Sequence, residues 1–204
     1  IAPEHVAPPV LEKMGKPGKE VYTRFMRLFD KKNKEIGLPQ YLVPYFISSH
    51  PGCTLNNAVE LAEFLRDIKH HPQQVQDFIP TPGSASTAMY YSGIDPETGK
   101  SVFVARNPHD KAMQRALMQY RNPNNRQLVL EALQKANRMD LVGSGPKCLI
   151  YVDDKKGGKR FTGKPNGGKS TAGKTTNSKF ANKNTKDSRF DKKTTNKNTN
   201  HKHK

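Results

Sequence analysis

The sequence predicts an α/β chain: a parallel layer with helices packed outside it, then a small α+β segment, then a basic tail without a core. Three observations carry this. Two short apolar runs, Tyr41–Ser48 and Gln74–Pro82, are each closed by turn residues and separated by a single helical pattern, which makes a βαβ unit. After Pro82 the texture turns small and polar, then strongly helical. From Asp153 onward Lys, Asn, Thr and Gly dominate, and Phe161, Phe180 and Phe190 are the only large apolar residues.

Taken in order, Ile1–His5 reads as the last residues of a strand and its exit loop. A strand is not stable without neighbours, so a domain beginning there is expected to be a piece of a larger protein. Val6–Pro17 is a short helix at most, stopped by Gly15 and Pro17. A stronger helix is expected from about Lys19 to Glu35. Val21, Tyr22, Phe25, Leu28 and Phe29 share one face, Arg24, Arg27, Lys31 and Lys32 the other, and Gly37 suits the residue after its end. Tyr41–Ser48 (YLVPYFIS) is nearly continuous in apolar residues and predicts a strand buried on both faces. Thr54 caps a helix to about Lys69, with Leu55, Ala58, Val59, Ala62, Leu65 and Ile68 inward, and Gln74–Pro82 returns as the next strand.

Beyond it, Gly83–Gly93 carries only an aromatic pair, Tyr90 and Tyr91, and is left without an assigned element. The turn Asp95–Gly99 feeds an expected strand, Val102–Ala105. Asn107 and Pro108 open a helix striped by Ala112, Met113, Ala116, Leu117 and Tyr120. A second helix runs from about Asn125 to Arg138, Val142–Lys147 turns the chain, and Cys148–Val152 is an edge strand. The domains are therefore 1–85, 86–152 and a disordered 153–204.

Composition narrows the function. The chain has 204 residues, 33% of them hydrophobic, and a mean hydropathy of −0.85, low for a fully folded protein. Of 35 Lys and Arg, 16 lie in 153–204 beside four acidic residues, so the tail carries +12 of the net +17. Two distant cysteines, Cys53 and Cys148, make neither a disulfide framework nor a zinc module. No apolar run has the length of a membrane span and no leader is present, so a cytoplasmic chain without a membrane partner is expected. Gly163–Ser170 (GKPNGGKS) fits the phosphate-loop pattern, but no apolar strand precedes it and no good helix follows; a chance match in a Gly/Lys/Ser-rich stretch explains it better.

The segments IAPEHVAPPVLEKMGKP, QYLVPYFISSHPGCT, QVQDFIPTP, AMYYSGIDPETGK, KAMQRALMQY and GPKCLI together resemble the YgiQ family of radical S-adenosylmethionine (SAM) proteins. The resemblance implies that 1–85 is the closing half of a radical SAM partial (β/α) barrel and 86–152 the family's C-terminal domain of unknown function. It implies reductive cleavage of SAM through a [4Fe-4S] cluster, on a substrate the sequence does not reveal. It places the Ser48–Gly52 loop against the methionine and ribose of the cofactor. Ser48 and Ser49 would offer hydroxyls there, and Gly52 a close backbone approach. Glu4 and His5 would share that rim and Phe78 would lie near the adenine. Each has a plainer reading: His50 holding its own turn, Glu4 and His5 pairing with each other or with a nearby Lys, and Tyr45, Phe46 and Phe78 serving as core. Tyr90 and Tyr91 line the substrate side or plug the open barrel. No catalytic residue and no metal ligand is assigned.

The departure from the family is the cluster-binding C-x-x-x-C-x-x-C loop, which this sequence lacks. The chain alone is therefore expected to be inactive. The other class is a non-enzymatic RNA- or ribosome-binding module, contacting phosphates non-specifically through 153–204.

Overall fold

The computed structural model describes residues 1–152; the expected disordered tail and the Gly163–Ser170 match lie outside the described residues. The order is α1 (Pro8–Lys13), α2 (Lys19–Ile36), β1 (Ile47–Ser48), α3 (Leu55–Asp67), β2 (Gln76–Asp77), α4 (Ala85–Ser92), α5 (Pro108–Met118), α6 (Arg126–Lys135), β3 (Val142–Gly143) and β4 (Ile150–Tyr151). Helix outweighs strand, and both strand pairs are parallel.

The βαβ unit forms where the sequence places it, but its strands are far shorter than the expected 41–48 and 74–82. β1 pairs with β2 in parallel, Ile47 opposite Gln76 and Ser48 opposite Asp77, with α3 as the crossover. The N-terminal segment adds a third parallel line: Tyr45 N–H donates to Ile1 O, Glu4 N–H to Tyr45 O, and Ile47 N–H to Glu4 O, at 2.9–3.0 Å. α3 starts at a capping box, in which the Thr54 hydroxyl accepts the Asn57 N–H and Asn57 Oδ1 accepts the Thr54 N–H.

Four expectations need correction, and one unassigned stretch gains an element. The strand at 41–48 is not buried on both faces: Tyr41, Val43 and Tyr45 are exposed while Phe46 and Ser48 are buried, because nothing among the described residues covers that side. The stripe of α2 turns inward at Tyr22, but Val21, Phe25 and Leu28 remain in solvent, since the helix meets the core only through its first turns. Gly83–Gly93 contains a helix, α4, capped by the Ser84 hydroxyl accepting the Thr87 N–H. Val102–Ala105 is not a strand; an antiparallel bridge pairs Ile94 with Ser101 just before it, and the Val102 N–H donates to Gly93 O. Within the expected turn at 142–147, Val142–Gly143 is a strand that pairs with Ile150–Tyr151.

The main core lies between α1, α3, α5, α6 and the β3–β4 pair, built from Val10, Val59, Ala62, Leu117, Val129 and Leu133. A smaller cluster of Val6, Tyr22, Phe46, Leu61, Leu65 and Met118 seats α2 and β1. Residues before and after position 85 thus share apolar surface, the dominant stabilising term in a fold of this size.

Candidate functional site

The three parallel lines end together. Glu4, Ser48 and Asp77 stand at neighbouring carboxyl ends, the side of a parallel sheet where loops gather polar groups. Two residues there hold left-handed backbone without being glycine, Glu4 at φ 61° and Ser49 at φ 60°. Such conformations cost about 1 kcal/mol or more each and persist where surrounding contacts determine them. At Ser49 those contacts are explicit. Its N–H donates to Gln114 Oε1 at 3.1 Å, and Gln114 Nε2 donates to Cys53 O at 3.0 Å, so one buried side chain of α5 clamps both ends of the turn.

The sequence-predicted residues sit on this rim but differ in what they can offer. Ser49 is almost fully buried, and its hydroxyl is without a hydrogen-bond partner. The Ser48 hydroxyl donates to Asp77, whose second oxygen accepts from the Arg115 guanidinium. Glu4 is ion-paired with Lys16 at 3.0 Å. Gly52 needs its positive φ of 88°, and the space a Cβ would take is filled by Lys13, with Cγ at 3.1 Å. Phe78 donates its N–H to Ser48 O at 2.8 Å and packs edge-on to His50, ring centroids 4.9 Å apart. Tyr90 leans on the other side of Phe78, and its hydroxyl accepts from Lys111 at 3.1 Å; Tyr91 is exposed.

The histidines and the thiol of the rim are neutral structural groups. The Ala7 N–H donates to His5 Nδ1 at 3.0 Å, which leaves the ring proton on Nε2, 3.5 Å from Cys53 Sγ. Burial, reinforced by His50, pushes His5 down to about 3, and burial pushes the Cys53 thiol up to about 12. His50 Nδ1 donates to Pro51 O at 2.8 Å, so its Nε2 accepts the Ser86 hydroxyl at 2.9 Å; burial lowers its pKa as well. The carboxylates here are tied to cations, including Asp95 on Lys13 at 2.8 Å, which holds Asp95 well below the usual carboxylate range. The polar groups of the rim are therefore mostly held by one another, and among the described residues they form no nucleophile–base pair of the kind acyl transfer requires.

Sequence reasoning missed the residues that close the rim from beyond position 85: Ser86 of α4, and Gln114 and Arg115 of α5. Gln114 carried a signal, a polar residue between Met113 and Ala116 on the buried stripe. Asp77 had a weaker one, immediately before Phe78 at a strand end. Among the described residues no group of three or more His, Cys, Asp or Glu side chains is placed to hold a metal ion, and no helix is long and apolar enough to cross a membrane.

Comparison with known proteins assigns the family. The chain is 54% identical over 150 residues to a UPF0313 protein of Clostridium perfringens, covering 74% of this chain and 23% of the relative. It is 57% identical over 156 residues to a UPF0313 protein of Methanosarcina mazei, covering 76% and 25%. A UPF0313 protein of Methanocella arvoryzae is 51% identical over 150 residues, covering 74% and 25%. The chain thus spans about a quarter of the length of the curated relatives it matches. No solved structure matches it. Residues 73–204 match a domain of unknown function, DUF3362. The chain belongs to the DUF3362 family and is homologous to the UPF0313 proteins.

Proposed function

We propose that this chain is the closing part of a radical SAM enzyme, supplying the last parallel strands of a partial (β/α) barrel and the helices that pack across their ends. The observation that carries the reading is the rim itself. Three parallel carboxyl ends converge, and Ser49 sits on them in strained backbone with a buried hydroxyl awaiting a partner. The uncovered side of Tyr41, Val43 and Tyr45, in a chain that spans about a quarter of the length of its relatives, supports a barrel wall completed by other residues of a longer polypeptide.

The rim fits SAM in part. Ser49 is the residue with a free hydroxyl, and Glu4, at the end of the adjacent line, is its neighbour for a polar ligand atom. Ser48 and Gly52 act indirectly, through Asp77 and Lys13. Phe78 presents a half-buried ring beside His50 for an adenine to pack against. The cluster does not fit: two cysteines, one buried on His5, do not make a three-thiolate set, so its ligands would come from elsewhere in the longer protein. When bound, the cofactor supplies reductive carbon–sulfur bond cleavage. This chain's residues orient it, and α4 and α5 exclude water behind it.

The test is anaerobic reconstitution of the longer protein with iron and sulfide, then chromatographic measurement of 5′-deoxyadenosine formed from SAM under dithionite. Wild type should form it, and Ser49→Ala should raise the apparent KM for SAM about tenfold, the worth of one lost hydrogen bond in a desolvated site. A spectroscopically loaded cluster that yields no 5′-deoxyadenosine sinks the reading. Salt-dependent RNA binding through 153–204 would then be the function to pursue.

A further inference from the structure

The opposite end of the parallel layer holds a second polar site. His71–Gln73 lead into β2, and the last turn of α5 ends beside them, so these residues stand at the amino ends of the strands, away from Ser49. Two neighbouring cavities open there, of about 450 and 340 Å³, sharing Tyr120, Arg121 and Asn122 as a common wall. The larger is lined by three guanidinium groups, those of Arg66, Arg121 and Arg126, and neither cavity has an aspartate or glutamate in its lining.

The three arginines are not equally spent. Arg66 is bound to Asp67 at 2.8 Å, lies 3.9 Å from Glu63 and donates to Lys147 O, so it is a fixed and partly neutralised charge. Arg126 reaches only Tyr151 O, at 3.4 Å. Arg121 has no hydrogen bond or ion pair among the described residues. The helical run that enters α6 begins at Pro123 and is already capped, the Asn122 side chain accepting the Asn124 N–H. One further feature favours a ligand. Tyr120 is 6% exposed, and its buried hydroxyl lacks a partner, a loss worth about 1–3 kcal/mol unless something fills it. The lining also includes buried Leu149 and Ile150, with Pro123 and Pro146.

We propose that the larger cavity binds the phosphate of a small organic phosphomonoester. Arg121 and Arg126 hold the phosphate oxygens, Arg66 supplies background charge, and Tyr120, Leu149 and Ile150 contact the organic part. Guanidinium pairs match phosphate oxygens in geometry as well as charge, and a cavity of this volume is of ordinary small-ligand size. The site is independent of the barrel reading, since none of its residues lies on the Ser49 rim.

The experiment is calorimetric titration of the full 204-residue chain with adenosine 5′-monophosphate, inorganic phosphate and adenosine at fixed salt. The tail is present in every sample, so its lysines contribute equally throughout. The monophosphate should bind, inorganic phosphate should compete with it more weakly, and adenosine should not bind. Arg121→Ala and Arg126→Ala should each weaken the monophosphate about tenfold, with unchanged urea midpoints. Both side chains are exposed, so the variants fold. Equal affinity of wild type and the double variant would overturn the site and assign any heat to the tail. Adenosine binding as well as its monophosphate would overturn the phosphate anchor. Inorganic phosphate matching the monophosphate would overturn the organic contact and leave free phosphate as the ligand.

Discussion

Gln114 holds Ser49 in its left-handed conformation: Oε1 accepts the Ser49 N–H at 3.1 Å while Nε2 donates to Cys53 O at 3.0 Å. Both bonds are buried, and α5 thereby fixes a turn more than sixty residues earlier in the chain. Gln114→Leu leaves a buried donor and a buried acceptor unpaired and should cost about 3 kcal/mol. Gln114→Glu keeps the acceptor, loses the donor to Cys53 and buries a charge, so it should cost more at pH 7 than at pH 4. Urea denaturation reads both; a Leu variant within 0.5 kcal/mol of wild type, on the scale of inert surface changes, would show that the clamp does not bear on stability.

Gly52 answers to two constraints, its φ of 88° and the approach of Lys13. Gly15 has a φ of 63° and nothing near its missing Cβ, so it isolates the conformational part. Gly15→Ala should cost about 1 kcal/mol and Gly52→Ala about 2. In a Lys13→Ala background the two costs should converge, because the crowding atom Cγ is gone. Persistent disparity in that double-mutant cycle would assign the excess to something other than Lys13.

His5 makes the fold acid-sensitive. Its ring is neutral and buried, with its pKa lowered to about 3 from 6.5. The unfolded chain therefore takes up a proton below pH 6.5 that the folded chain refuses until about pH 3. Stability is complete above pH 6.5 and falls as pH drops through that window, with a slope approaching 1.4 kcal/mol per pH unit. His50, also lowered by burial, adds to the same trend. His5→Asn keeps an acceptor for the Ala7 N–H and does not titrate, so its urea midpoints at pH 7, 6 and 5 should fall less steeply than wild type. Parallel slopes would remove His5 from the explanation.

Tyr22 and Phe25 lie on the same predicted stripe of α2 but have different neighbours. Tyr22 is buried against Phe46 and Phe64, with ring centroids 6.4 and 6.1 Å away. Phe25 is 44% exposed and touches Phe29 of its own helix. Tyr22→Ala should cost about 3 kcal/mol and Phe25→Gln about 0.5 in this chain. Comparable losses at the two positions would mean that α2 packs on its full stripe.

The division between sequence and tertiary structure follows the range of the forces involved. Local chemistry was legible. Thr54 and Asn107 as caps, Pro108 in the first turn of α5, Gly37 closing α2, and the parallel βαβ unit from two apolar runs all follow from interactions spanning a few residues. The positions of Ser48, Ser49, Gly52 and Phe78 at strand ends were legible too, since turn residues mark where strands stop. Periodicity names an apolar face without naming what covers it, so the exposure of Val21, Phe25, Tyr41 and Val43 was decided only in three dimensions. The same holds for the polar groups that close both sites. Gln114 on Ser49, Arg115 on Asp77, and Arg66 beside Arg121 are contacts between distant segments, and no local pattern encodes them. The sequence determined most of the helices and the parallel βαβ unit, but not α4, the strand at Val142–Gly143 or how little of the two apolar runs pairs. Burial of one shared apolar core decided which of their ends meet.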